Sequence, residues 1–495
     1  MLKIFGLNRY IHTTKMSSLT KYAPPANRHM TKLDKSFFIT KVPLCVIEFP
    51  DPKNISVFSK KFKDYILRIP RIPHVIKLSE TVKNGDKTLA CDNGIVRKGI
   101  LLSDSISNMD DVEKKLPVEA KTFLNEQNAT INPYEYTLDY DYWQAEDILR
   151  AVLPEEYLDE IPTGFTITGH IAHLNLRKEF KPFDSLIGQV ILDKNTKITC
   201  VVDKVSSIAT KFRTFPMKII AGNDNLIVEQ RESNCVFKFD FSKVYWNSRL
   251  HTEHDRLVTQ YFKPNEVVCD VFAGVGPFAV PAGKKGSIVL ANDLNPESFK
   301  YLQENIILNK VDSMVRPFNL DGAEFIKQSP RLLEQLISSC DNGKIQLRLK
   351  SNRKKHKKNE HANVVENKQS SQQPPEFKEI IIPNEISHFV MNLPDSAIDF
   401  LGNFVGLYSK DVDANIKKVM PWIHVHCFEK YGNDEDLSME ELYSRVHARI
   451  LKSMDTNSTI LPIETMSFHL VRKVSPTKPM FCVSYKLPAE LAYKK

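Results

Sequence analysis

Val267-Val268-Cys269-Asp270-Val271-Phe272-Ala273-Gly274-Val275-Gly276-Pro277-Phe278 is the stretch on which the reading of this chain turns. An apolar, β-like run ends in a carboxylate and breaks into glycines, which allow tight turns and close backbone approach to a ligand; helical spacing resumes after it. Nucleotide-like ligands are usually seated this way, at the carboxyl end of a strand beside a helix N-terminus. A glycine pair alone says little, but its continuation says more. Ser287-Ile288-Val289-Leu290-Ala291-Asn292-Asp293 is a second apolar run ending in a carboxylate. It follows about twenty residues on, where an acidic side chain can take both hydroxyls of a ribose. A third turn, Asn319-Leu320-Asp321-Gly322, offers a carboxylate to an adenine amino group, although Asp-Gly reads equally as a plain turn. The fourth run, Phe389-Val390-Met391-Asn392-Leu393-Pro394-Asp395, ends in a polar turn of its own. Four such strand ends in β-α-β-α-β order describe the rim of a doubly wound α/β sheet.

Dinucleotide enzymes share that rim, and the first turn separates them. A pyrophosphate site wants Gly-x-Gly-x-x-Gly, whereas the position three after Gly276 is Ala279 and Asp270 at the strand end would repel phosphates. The turn suits a ligand with a ribose, a positive centre and no phosphate, which points to S-adenosylmethionine.

The segments Asp270 to Phe278, Asn292-Asp293-Leu294-Asn295-Pro296, Asp321-Gly322 and Asn392-Leu393-Pro394, together with Tyr245-Trp246-Asn247-Ser248-Arg249-Leu250-His251-Thr252-Glu253-His254, carry a family resemblance. They resemble the tRNA (guanine-N1)-methyltransferases of eukaryotes and archaea that act on guanosine-37, next to the anticodon, and most of all the fungal members. The likeness runs from about Leu33 onward. It implies a Rossmann-like S-adenosylmethionine-dependent methyltransferase domain behind N-terminal α+β RNA-binding domains, with tRNA as partner and 1-methylguanosine as product. It further implies cofactor contacts from His254, Asp270, Phe272, Gly274, Gly276, Asp293, Leu294, Asp321, Gly322 and Asn392. Guanine N1 carries a proton and is a poor nucleophile until that proton leaves, so methyl transfer needs a base within hydrogen-bond reach. Glu253 is the candidate. By the same resemblance Asn392 binds the guanine edge and Arg213 favours negative charge on guanine O6. The family pattern Asn-Pro-Pro-Tyr stands here as Asn392-Leu393-Pro394-Asp395, without the aromatic. Two alternatives remain beside this reading: an enzyme of the same build that moves the aminocarboxypropyl group in wybutosine synthesis, and a non-enzymatic RNA-binding protein with a degenerate cofactor fold.

With 495 residues, 42% of them hydrophobic, the chain has material for two to four domains. No run approaches the roughly eighteen apolar residues of a membrane span, and a soluble, monomeric protein is expected. The eight cysteines are scattered without a C-x-x-C pair, which favours reduced thiols and no structural metal. His170 and His173, and likewise His424 and His426, read as structural or surface histidines rather than ligands. A net charge of +8 fits a polyanionic partner. Lys3, Arg9, Lys15, Lys21, Arg28 and Lys32 precede the first acidic residue, Asp34, among serines, threonines and spaced apolar residues. That composition matches a mitochondrial presequence or a basic tail over residues 1–32, and Met16 offers a shorter start, so residence in mitochondrial matrix, nucleus and cytoplasm is expected.

The domain reading is then 33–131 for an N-terminal tRNA-recognition module, 134–244 for an α+β linker that contacts tRNA, and 245–495 for the methyltransferase domain. Within the linker, Asp139 to Leu149 reads as a helix start and Phe165 to Ile171 as one strand. Lys211-Phe212-Arg213-Thr214-Phe215-Pro216-Met217-Lys218 interleaves cations with aromatics, a pattern able to touch phosphates and stack on bases and equally that of an ordinary strand. Thr252 reads as the cap of a helix holding Glu253 and Asp255 in its first turn. An insertion at about 341–378, with the basic run Lys350 to Lys358, reads as a disordered loop.

Overall fold

The computed structural model describes residues 20–78, 97–205, 212–348, 377–409 and 418–495. The expected presequence lies largely outside these residues, as do Lys211 and the basic run of the insertion. The chain divides into two units, residues 1–164 with 176–196 and residues 165–175 with 197–495.

In the first unit, β1 (Thr40–Glu48) pairs antiparallel with β4 (Thr130–Leu138) along its whole length, Thr40 opposite Leu138 and Glu48 opposite Thr130. With β2 (Val75–Lys77) and β3 (Lys98–Leu101) they form a sheet of order β2-β3-β1-β4. Helices α1 (Lys53–Lys61), α2 (Met109–Lys115) and α3 (Val118–Glu126) bury Ile55, Phe58, Val112 and Leu124 in one cluster with Cys45, Ile47 and Ile100. Two further helices, α4 (Ala145–Val152) and α5 (Asp184–Lys194), complete the unit. The expected boundary between 131 and 134 falls inside β4, because that strand finishes the edge of the first sheet. The 134–244 stretch is likewise divided between the two units. The helix expected from Asp139 starts later, at Ala145, since Asp139 closes a turn by accepting from the Asp141 amide at 3.0 Å.

The second unit opens with β5 (Thr166–Thr168) and β6 (Ile171–Leu174), a hairpin where a single strand was expected. Gly169 has φ +56°, a left-handed turn that interrupts the alternation. β7 (Cys200–Lys204) and β8 (Met217–Gly222) extend this sheet, and β9 (Ile227–Glu232) with β10 (Cys235–Asp240) makes a separate hairpin. Next comes α6 (His251–Gln260), which buries Glu253, His254, Leu257 and Val258. Its start is one residue upstream of the expected cap. The turn Ser248–Leu250 runs straight into the helix, so Thr252 sits in the first turn rather than capping it.

A seven-stranded sheet of order β13-β12-β11-β16-β17-β19-β18 follows. Its strands are β11 (Val267–Asp270), β12 (Ile288–Asn292), β13 (Val315–Phe318), β16 (His388–Met391), β17 (Trp422–Phe428), β18 (Ser467–Ser475) and β19 (Lys478–Lys486). The pairings β13-β12-β11-β16-β17 are parallel, while β19 runs antiparallel between β17 and β18. Helices α7 (Ala279–Lys285), α8 (Pro296–Leu308), α9 (Gly322–Ser339) and α10 (Met439–Ser453) belong to the same unit, with the short α11 (Ala489–Ala492) at its end. Central strands read as unbroken apolar runs because both faces are covered, and Val267, Cys269, Val289, Leu290, Phe389 and Val390 are all fully buried. The expected insertion is narrower than 341–378: β14 (Lys344–Arg348) and β15 (Phe377–Ile381) pair antiparallel, Lys344 opposite Ile381, and frame residues 349–376. No helix among the described residues is long and apolar enough to cross a membrane.

Phe389 sits on the central β16 with its ring 4.8 Å from that of Phe404, edge to face. Truncation to alanine at such a site costs about 3–5 kcal/mol. Phe389→Ala is therefore expected to lower the urea midpoint of the second unit strongly, read by tryptophan fluorescence, with little change in the slope of the transition.

Candidate active site

The carboxyl ends of the parallel strands carry the polar residues singled out above. Asp270 ends β11 fully buried, and neither of its carboxylate oxygens has a hydrogen-bond partner. Burial, reinforced by the nearby charge of Asp293, pushes its pKa up to about 8. Gly274 and Gly276 follow with φ +55° and +100°. A Cβ on Gly276 would stand 2.8 Å from Val280 Cγ2 and 2.9 Å from Leu302 Cδ1, so the turn packs tightly on its helices only with glycine there. The Gly274 amide donates to Asp293 Oδ2 at 2.8 Å, and the Asn295 amide donates to Asp293 Oδ1 at 2.9 Å. Two backbone bonds thus orient this carboxylate, and the Ser298 side chain adds a third.

Asn292, just before it, ties three strand ends together. Its amide donates to the Val271 and Leu320 carbonyls, each at 3.1 Å, and its oxygen accepts from the Leu320 amide at 2.8 Å. Leu294 follows on the same turn, its carbonyl accepting from Asn319 at 3.1 Å. Asp321 caps α9 by accepting from the Ala323 amide at 2.9 Å, so its structural role is real whatever else it binds. A Cβ on Gly322 would meet the Phe272 ring at 2.7 Å, and Phe272 in turn packs edge to face on Phe400. At the fourth turn the Asn392 side-chain oxygen is buried with no partner. Arg213 reaches this turn from 182 residues away, its Nη2 lying 3.3 Å from Asp395 Oδ2 and 3.3 Å from Ser396 Oγ. Asp395 occupies the place where the resembled pattern has an aromatic, and it pairs with Arg213 instead.

Glu253 and His254 point apart, as neighbours on a helix must. His254 is buried against the glycine turn, its ring 4.7 Å from Phe278, and its Nδ1 bonds Glu232 of the β9–β10 hairpin at 2.5 Å. Glu253 turns to the sheet. It accepts from Arg256 Nε at 2.7 Å, Arg256 Nη2 at 2.9 Å and His426 Nε2 at 2.8 Å, with a side chain only 2% exposed. Burial by itself would raise this carboxyl, but the Arg256 and His426 bonds outweigh it and hold it well below the usual carboxylate range. Arg256, Asn292 and Glu232 carry no local sequence signal for a place in the site, and His426, expected to be a packing histidine, is a partner of Glu253 instead. The Glu253–His426 contact joins residues 173 apart, a distance no local pattern reports. His424 does behave as a structural histidine, bonded to Ser484 and His388 at 2.8 and 3.1 Å.

The strand-end groups fit S-adenosylmethionine. An unpartnered buried carboxylate beside the turn answers a cation, a carboxylate oriented by backbone amides at the second strand answers a ribose, and the glycines leave room for backbone approach. Glu253, His426 and Cys482 also bring a carboxylate oxygen, a ring nitrogen and a thiol within 4.8 Å of one another. The Arg256 guanidinium already lies across both Glu253 oxygens, however, so this cluster holds its cation in the form of a side chain.

Fold and strand-end chemistry together define a Rossmann-like, S-adenosylmethionine-dependent methyltransferase domain. The family model of the TRM5/TYW2 methyltransferase domain matches residues 228–343, and that of the TYW2 N-terminal domain matches 145–225. The chain is 61% identical, over 98% of both chains, to a tRNA (guanine(37)-N(1))-methyltransferase of Saccharomyces cerevisiae. It is 48% identical, over 96% of its length and 100% of the other, to one of Candida albicans. Among solved structures, Trm5b from Pyrococcus abyssi aligns at 21% identity and TM-score 0.50 over 89% of this chain and 98% of that one. The complex of aTrm5 with tRNALeu aligns at 17% identity and TM-score 0.52, over 90% and 100%. At those identities the two structures speak for the fold. The chain belongs to the tRNA (guanine(37)-N(1))-methyltransferase family.

A raised carboxyl at Asp270 holds its proton near neutrality, and a cation set against it favours the ionised form. Binding of S-adenosylmethionine between about pH 6 and pH 8 is therefore expected to release protons, read by calorimetry in buffers of different ionisation enthalpy. Asp270→Asn should abolish that release and weaken binding.

Proposed function

We infer that this protein transfers a methyl group from S-adenosylmethionine to N1 of guanosine-37 in tRNA, forming 1-methylguanosine. The observation that carries the reading is the adjacency of Glu253 and His254. One helix presents a buried carboxylate on one side, and on the other packs a ring against Phe278 of the glycine turn. S-adenosylmethionine, when bound, supplies a methyl carbon made electrophilic by its positive sulfur. The protein's own contribution is to hold guanine and take a proton. Glu253 accepts the N1 proton, so that the ring nitrogen's electron pair is free to form the new bond. Asn392, with its unpartnered buried oxygen, takes the donor edge of the base. Arg213 stabilises the charge that gathers on O6 as N1–H is lost. Asp270, Phe272, Gly274, Gly276, Asp293, Leu294, Asp321 and Gly322 hold the cofactor. His254, locked by Glu232, fixes the helix against the glycine turn.

The target base must leave its stack to meet these groups, at a cost of a few kcal/mol. Contacts spread over the N-terminal modules offset that cost, and they give tRNA binding a steep salt dependence. The basic N-terminal composition supports targeting to the mitochondrial matrix, with a Met16 start retained in cytoplasm and nucleus. Fusion of residues 1–32 to a fluorescent reporter tests it. A monomer is sufficient, since every proposed site residue lies on one chain; sedimentation with and without tRNA tests that.

Removing a general base typically costs 10²–10⁴-fold. Glu253→Gln should thus slow single-turnover methylation of tRNA by roughly two to four decades while leaving cofactor binding intact. Nucleoside mass spectrometry distinguishes an added methyl from an added aminocarboxypropyl group on the product. A Glu253→Gln protein as fast as the parent would move the base to another residue.

A further inference from the structure

The hydrogen bonds on Glu253 specify more than its identity as a base. A carboxylate has about four lone-pair sites. On Oε1 both are engaged, by Arg256 Nη2 at 2.9 Å and by His426 Nε2 at 2.8 Å. On Oε2 one is engaged, by Arg256 Nε at 2.7 Å. The second faces His469 Nε2 at 3.6 Å, too long for a hydrogen bond, and His469 is 44% exposed while Glu253, His426 and Arg256 are 2%, 0% and 13% exposed. Every approach to this carboxylate but one is closed by a donor.

The groups around it come from four elements. Arg256 stands on the same helix, His426 on β17 with His424 two residues away on the same face, Cys482 on β19, and His469 on the edge strand β18. Asp270 lies close enough to His426 for the imidazolium charge to favour its ionised form. Burial opposes a charge on His426, yet Cys482 and Glu253 beside it push it up to about 10. His469 is shifted down by burial and by Arg256, so it is neutral near physiological pH. Arg256 also lines a cavity of about 580 Å³ with Arg231, His251, Thr252 and Asp255.

We propose that Arg256 and His426 are positioning residues for methyl transfer: their three hydrogen bonds keep Glu253 ionised and leave the His469-facing lone pair of Oε2 as the one that receives the guanine N1 proton. In that step the N1–H bond breaks and its electron pair remains on nitrogen to form the N1–methyl bond; the donor's sulfur–methyl bond breaks with its electron pair left on sulfur, giving the neutral thioether as leaving group, and the proton ends on Oε2. His469 stands at the mouth of this approach and gives way to the base. The proposal rests on Glu253 being the proton acceptor, and its test separates the two.

The test is single-turnover methylation of tRNA from about pH 5 to pH 9 by the parent, Arg256→Gln, Arg256→Lys, His426→Asn and Glu253→Gln. In the parent, Glu253 contributes no acid limb in this range. With Arg256→Gln the buried carboxylate loses its charge partner, its pKa rises, and an acid limb enters the range. The rate should fall at least tenfold between the top of the profile and pH 5, and approach the parent's at high pH. His426→Asn should move the limb in the same direction by less. Arg256→Lys, which restores charge without the two-bond fork, should return the limb part of the way. A uniform loss at all pH values in both Arg256→Gln and His426→Asn, or profiles like the parent's, would overturn the positioning role, and His426→Asn carries the test alone if Arg256→Gln does not fold. If Glu253→Gln keeps the parent rate, the base assignment itself fails. If Glu253→Gln is inactive while the other profiles are unshifted, only this inference does.

Discussion

Parallel pairing in register is the constraint from which the site follows. Asp270 lies opposite both Ala291 and Val390, and Met391 lies opposite Val425, so the first, second, fourth and fifth strands of the motif end at one edge of the sheet. Parallel neighbours point their side chains to the same face at each level. The turn glycines, Asp293, Asn392 and His426 are therefore gathered along one rim although up to 152 residues separate them, Gly274 from His426. A one-residue slip in any pairing would send these groups to the wrong face. Asn292 guards against that by bonding the chain just beyond β11 and beyond β13 at once.

Two carboxylates buried at this rim are resolved in opposite ways. Removing an ion from water costs several kcal/mol unless charge and hydrogen bonds replace the solvent. Asp270 has no partner and is driven toward the protonated form. Glu253 is surrounded by donors and is driven toward the ionised form. Pairs of acids whose surroundings push them apart are a recurring way for one site to hold both a charge receptor and a base. The edge strand β18 contributes to this less by pairing than by bringing His469 to the one open side of Glu253.

Local pattern carried most of the methyltransferase domain. Apolar runs ending in Asp270, Asp293 and Asn392 fall on strands at the rim. The departures are places where a distant strand or a neighbouring turn overrode a local signal. The supposed boundary at 131–134 lies in a strand because β1 supplies nine backbone partners for it. The stretch from Phe165 to Ile171 folds back at Gly169 to pair with itself. Part of the supposed disordered insertion is a hairpin, because Phe377–Ile381 returns to pair with Lys344–Arg348. Thr252 lost its cap to a turn that enters the helix upstream.

By itself the amino-acid sequence determined which residues have the chemistry: glycines where the backbone must turn, acids at strand ends, an acid beside a histidine on one helix, and the order of elements that builds a doubly wound sheet. These are local properties of spacing and side-chain type. Only the tertiary structure decided the protonation and direction of those groups. The guanidinium that clamps Glu253 is three residues away along the helix, but the imidazole that completes its shell is 173 away and the open side is set by a strand further on. Solvation and charge act through space, and a carboxylate's strength as a base is fixed by neighbours that the order of residues does not name.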